Sequence, residues 1–253
     1  MREKLYHIPI NDAVNSGDEC PFCNIERGLE QDMMDFVLGS GSSYMEADIR
    51  EQTDRAGFCK MHYKKMFDYG NTLGNAWIMK TYLMNTCREA EKAMGKYKPS
   101  ANGITARLRN SDKATNSVTE WVREREEKCY ICDAFKKEYD GYMKSFFDLY
   151  FKDEEFAKKI NEGKGFCLPH FSDLLEYAGN HIPEKKQQDF ADSIIPVMKK
   201  QLADIYDDVS WLIEKFDYVN KDADWKNSKD ALQRSMQRMK GGYPADRPYT
   251  SKR

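Results

Sequence analysis

The chain has 253 residues, enough for one large domain or two small ones, and a formal charge of −2 although 32% of its residues are charged. So near-neutral a balance excludes a protein that works through a strong overall field on nucleic acid or membrane. No segment approaches the roughly 18 uninterrupted apolar residues of a membrane span, and no secretory signal opens the sequence. The expectation is a cytoplasmic protein without a membrane partner, whose seven cysteines serve metal or redox chemistry rather than a disulfide framework.

In chain order, the predicted elements are helices. "NIERGLEQDMMDFVL" spaces Ile25, Leu29, Met33, Phe36 and Val37 by three and four, which draws one apolar helical stripe. "AWIMKTYLMNTCREAEKAM" and "SVTEWVREREEK" carry the same periodicity, as do "DAFKKEYDGYMKSFFDLYF" and "QQDFADSIIPVMKKQLADIYDDVSWLIEKF". Pro196 should kink or break the last of these, because it lacks an N–H and clashes with the preceding turn. No apolar/polar alternation bounded by hairpin turns appears, so the expected class is all-α.

The sequence also repeats itself. Cys20-Pro21-Phe22-Cys23 is followed after 35 residues by Cys59-Lys60-Met61-His62, and Cys129-Tyr130-Ile131-Cys132 after 34 residues by Cys167-Leu168-Pro169-His170. Gly-Phe precedes each closing motif. "HYKKMFDYG" then aligns without a gap on "HFSDLLEYA", with Tyr63 over Phe171, Met66 over Leu174 and Tyr69 over Tyr177. We read an internal duplication with these boundaries: a first metal-binding repeat over 1–94, a polar linker over 95–114, a second repeat over 115–222, and a basic C-terminal helix with a flexible tail over 223–253.

Three thiolates and one imidazole form a closed tetrahedral zinc set. In each Cys-x-x-Cys two sulfurs fold around one ion at a helix start, and a Cys and His three residues apart share one helix face. Two such clips complete a site. The expected assignment puts Cys20, Cys23, Cys59 and His62 on one ion and Cys129, Cys132, Cys167 and His170 on the other, so that each repeat is stapled by its own Cys₃His site. Gly57 and Gly165 should allow the tight turn, and Phe58 and Phe166 should shield the metal from water. Zn²⁺, two per chain, is the expected ion, with an iron–sulfur cluster as the alternative.

Cys87 is expected as a buried core thiol. No phosphate-binding loop, nucleophile elbow, HExxH or paired Glu-x-x-His occurs, so no catalytic residue is assigned and enzyme activity stays open, with the reading leaning against it. Residues from 226 onward carry eight basic against two acidic side chains, which leaves nucleic acid as a partner through the C-terminus. The leading expectation is a binding or interaction module for an unidentified protein or small molecule. The alternative is a redox-responsive or catalytic metal-thiolate protein acting on a small molecule. The paired CPFC…GFCKMH and CYIC…GFCLPH motifs resemble those of an uncharacterised family of bacterial proteins, mostly from Firmicutes, known as a domain of unknown function. The resemblance covers most of residues 1–220 and implies a bacterial cytosolic protein, with no activity attached.

Overall fold

The computed structural model describes residues 3–41, 46–98 and 116–251, with the side chains of residues 3 and 4 left aside. The linker expected over 95–114 therefore lies mostly outside the described residues. Those residues form eleven α-helices and no strand. In order they are α1 (Glu3–Asn15), α2 (Pro21–Leu38), α3 (Ala47–Ala56), α4 (Lys60–Tyr69), α5 (Thr72–Gly95), α6 (Ser117–Glu126), α7 (Tyr130–Lys152), α8 (Glu154–Glu162), α9 (Leu168–His181), α10 (Glu184–Glu214) and α11 (Ala231–Lys240), with a 3₁₀ turn at Tyr218–Asn220.

The chain divides into two compact units, Met1–Leu29 with Lys137–Arg247, and Glu30–Lys136 with Pro248–Arg253. These are not the contiguous segments 1–94 and 115–222 expected from the repeat. Each unit draws on both segments, because the divisions fall inside α2 and α7.

In the first unit α1, α8, α9, α10 and α11 pack together around an aromatic core. Phe22, Phe146, Phe147, Phe156, Phe166 and Phe190 are all essentially inaccessible to water, and their rings meet mostly edge to face, as between Phe146 and Phe166 at 5.8 Å. Such pairs add about 0.5–1.5 kcal/mol each to simple burial. Pro196 does not break α10, which runs continuously through 31 residues. The apolar stripe of Phe190, Ile194, Met198 and Ile205 is buried along its length, and that packing outweighs the hydrogen bond the proline forgoes.

In the second unit α5 packs against α3, α4 and α6. Its core is smaller and holds Met34, Leu38, Phe58, Met66, Tyr69, Ile78 and Ile131. Cys87, expected in a core, is exposed on α5. That helix buries only Gly74, Ile78 and Ala93, and Cys87 lies off their face.

The tail expected to be flexible makes specific contacts. Beyond Gly241 the chain has almost no regular structure, yet Tyr249 is buried in the second unit and donates to Glu30 Oε2 at 2.5 Å. Within the first unit Asp246 pairs with Arg27 at 3.3 Å. Specific side-chain anchors order this segment without any periodic pattern.

Candidate metal centres

All four cysteine clips sit at helix N-termini. Cys20 immediately precedes α2, Cys59 precedes α4, Cys129 precedes α7 and Cys167 precedes α9. Cys59 and Cys167 are N-caps with nearly the same backbone, φ −72°, ψ 164° and φ −68°, ψ 159°. The free N–H groups and the positive end of each helix dipole favour thiolate there. The glycine two residues earlier is left-handed in both cases, φ +62° at Gly57 and +72° at Gly165. A β-carbon at Gly57 would collide with Tyr82, and one at Gly165 with the Met198 sulfur, so glycine is required for both conformation and room.

The eight predicted ligands converge into two groups, but the pairing is crossed. Cys20 and Cys23 meet Cys167 and His170 in the first unit, while Cys129 and Cys132 meet Cys59 and His62 in the second. Each Cys-x-x-Cys thus joins the Cys-x-x-His of the other sequence copy, which corrects the expectation that each copy holds its own site. Helix length is the physical reason. At 1.5 Å per residue, the 18 residues of α2 carry the chain about 27 Å from Cys20, and the 10 residues of α3 bring it back only about 15 Å. The imbalance is greater in the second copy, where α7 has 23 residues and α8 has 9.

Ligand distances suit one small cation in each group. In the Cys20 site the His170 Nδ1 lies 3.3, 3.6 and 3.0 Å from the sulfurs of Cys20, Cys23 and Cys167, and the Cys23 and Cys167 sulfurs are 3.7 Å apart. In the Cys59 site the His62 Nδ1 lies 3.2, 3.2 and 3.4 Å from Cys59, Cys129 and Cys132, with 4.0 Å between the sulfurs of Cys59 and Cys132. A tetrahedron of about 2.3 Å metal–sulfur bonds has edges of about 3.8 Å, so both groups fit the ion they would hold.

Carboxylates that the sequence motifs did not single out orient both imidazoles. His170 Nε2 is 3.0 Å from Glu26 and His62 Nε2 is 2.8 Å from Glu30, which leaves each Nδ1 facing the sulfurs. Glu26 follows Cys23 by three residues and shares its helix face, a signal available in the sequence. Glu30 lies one turn further along α2 and is also bound by Lys65 at 2.6 Å. Burial alone would raise the Glu30 pKa, but hydrogen bonds from His62, Lys65 and Tyr249 hold it down at about 2.

Without metal, protons redistribute inside the groups. Burial would lower the His62 pKa, yet hydrogen bonds to Cys129 and Glu30 raise it to about 10. Burial likewise opposes the hydrogen bond from His62 that draws Cys129 down to about 6, while burial and the neighbouring Cys129 push Cys132 up to about 12. In the Cys20 site burial would lower the His170 pKa, but Cys167, Cys23 and Glu26 raise it to about 12. Cys23 is held far below the ordinary thiol range by hydrogen bonds from Cys167 and Cys20, and Cys20 is raised, chiefly by burial. Each group thus stores thiolate–imidazolium character that a divalent cation would replace.

In the Cys20 site an ion pair braces both clips. Arg238, 1% exposed, donates to Glu19 at 2.7 Å and to the carbonyls of Lys164 and Phe166 at 2.9 Å each, holding the residues just before Cys20 and Cys167. Gly241 passes so close that a β-carbon there would lie 3.6 Å from the Cys167 sulfur. In the Cys59 site the corresponding tie is a backbone bond, Tyr130 N–H to Gly57 C=O at 2.9 Å.

An all-helical protein with two Cys₃His groups, each assembled from distant parts of the chain, is the class these observations define. The chain belongs to a family of unknown function, DUF6062, which it matches over residues 1–246. No curated protein and no solved structure matches it.

Proposed function

We propose that the protein holds two structural zinc ions, one in each Cys₃His group, and acts in the cytoplasm as a binding or interaction module. The observation that carries this reading is closure. Three sulfurs and one nitrogen surround each position, and the remaining imidazole nitrogen is occupied by a carboxylate, so no coordination position is left for water or substrate. A metal so enclosed acts by fixing the helix starts that supply its ligands.

Duplication is supported by the order of the elements. Each Cys-x-x-Cys opens a long helix, and each Cys-x-x-His begins the helix after next, with a left-handed glycine before it. The interaction role is supported by apolar side chains left in water beyond α10, where Phe216 and Tyr218 are more than 80% exposed. The basic C-terminus is partly consumed internally. Arg238 binds Glu19, and Arg234 pairs with Asp208 and Asp230 at 2.8 Å each, which weakens the case for nucleic acid. Among the described residues no helix is long and apolar enough to cross a membrane.

Metal analysis of protein purified without oxygen tests the reading. The expected result is a colourless sample with about two zinc ions per chain. A brown sample carrying iron and acid-labile sulfide would overturn it.

A further inference from the structure

α5 carries apolar side chains on two opposite faces. Its inner face turns to α4 and α6, where Asn75 donates to the Met66 carbonyl, Arg125 donates to the Thr86 hydroxyl and Trp121 donates to Glu89. On its outer face Trp77, Lys80, Met84, Cys87, Glu91 and Met94 follow one another at intervals of three and four residues, and all of them are exposed. Leu73, four residues before Trp77, extends the row by one step. This is the seam pattern of a coiled coil, one contact every 3.5 residues, and from Trp77 to Met94 it runs about 26 Å along the helix. Leu73, Met84 and Met94 are each more than half exposed. Single apolar side chains at a surface are ordinary, but a row kept in register on one face is a docking surface.

We infer that this row is a dimer interface, on which a second copy of the chain lays its own α5 antiparallel. What selects a second copy is that the row complements itself when reversed. Turned about a two-fold axis between Asn85 and Thr86, it sets Trp77 against the partner's Met94, Met84 against the partner's Cys87, and Lys80 against the partner's Glu91. Every apolar position then meets an apolar one. The two charges of the row, which cost stability at seam positions, meet with opposite sign. A parallel pair in register would instead set each charge against its own kind. Lys80 already lies 4.8 Å over the Trp77 ring, so the two side chains are held together on this face. Ala76 beside the row and Gly95 at its end are small, which lets a second helix come close. A seam of this length sits at the small end of stable interfaces, so the dimer should dissociate on dilution.

The test is sedimentation equilibrium of the full-length, metal-loaded protein over a dilution series. The expected result is a reversible dimer whose mass approaches twice the 29.6 kDa of one chain. Cys87, the cysteine outside both metal groups, should be alkylated more slowly as the dimer forms. Met84→Lys, at an exposed position that the fold does not depend on, should weaken dimerisation by about tenfold or more. Lys80→Glu and Glu91→Lys should each weaken it roughly tenfold by setting like charges together, and combining the two should restore it. A chain that stays monomeric at every concentration, as it would if the row served a helix of another protein, overturns the inference. So does a dimer indifferent to Met84→Lys, or a double variant no stronger than the single ones. The inference rests on the reading of the chain as an interaction module and names its partner. A monomer would sink the inference and leave that reading on the exposed end of α10, and metal content measured on the same samples separates both from the zinc reading.

Discussion

The two metal groups share one donor set and differ in what surrounds it. Every ligand of the Cys20 site is buried, with Phe22 5.7 Å from the His170 ring and Arg238 bracing both clips from behind. In the Cys59 site Cys59 and Cys132 are half-exposed, and support comes from Phe58, Tyr63 and the Glu30–Lys65–Tyr249 cluster. Identical chemistry can therefore sit in a deep or a shallow setting. The difference teaches that ligand identity decides whether a metal is held, whereas packing decides how easily it leaves.

That contrast is open to several tests. The largest effect should come from Cys20→Ser beside Cys59→Ser. Each should leave one metal per chain, but loss of the Cys20 site, with metal-linked folding energy on the order of 10 kcal/mol, should also dissolve the aromatic core around Phe22 and Phe146. Near-ultraviolet circular dichroism reads the difference, and equal loss of signal in the two variants would erase the contrast.

Next is Arg238→Ala. It leaves the buried Glu19 with Lys164 alone and the Phe166 carbonyl without its donor, and should cost about 1–3 kcal/mol, with faster transfer of metal from the Cys20 site to a chelator and no change at the other. Faster release from both sites, or from neither, would show that the brace is not specific.

Smaller effects follow from the carboxylates. Glu30→Gln and Glu26→Gln should each weaken metal binding at one site, by about 10–100-fold. Glu30 should matter more, because its side chain is 14% exposed against 36% for Glu26. Competition with a chromogenic chelator measures both, and a larger loss for Glu26→Gln would reverse the ranking.

The mildest probe is pH. With its folded pKa lowered to about 2, Glu30 contributes stability fully above its ordinary value of 4.5, and that contribution fades as pH falls towards 2. In metal-free protein His62 is raised to about 10, so its imidazolium stabilises that form fully below about 6.5 and the contribution is lost as pH rises through 10. Metal must displace this proton. Zinc affinity of the Cys59 site should therefore rise with pH between 7 and 9, by up to about tenfold per unit for each proton released. A flat profile would show that the proton is not held on His62.

Much of this was legible in the chain. Helical periodicity identified α2, α5, α6, α7 and α10, because apolar residues recur every three to four positions along their sequences, even where, as in α6, none of them is fully buried. α1 carries no such clear stripe, and its Ile10 and Ala13 become core only against elements far along the chain. Cys87 has the composition of a core residue in a helix that buries little, and no local signal separates those cases. Glu30 is one of the 42 acidic residues of the chain and only the position of His62 distinguishes it, whereas Glu26 carries the faint signal of its three-residue spacing from Cys23.

The sequence by itself determined the eight cysteine and histidine side chains that converge in two groups, the helix starts that carry them and the glycines that let the chain turn, because all of these depend on residues within a few positions of one another. Which clip joins which was decided by the tertiary structure. A spacing of 35 or 34 residues is long enough for either pairing, and the choice rests on how far each helix carries the chain before it can return.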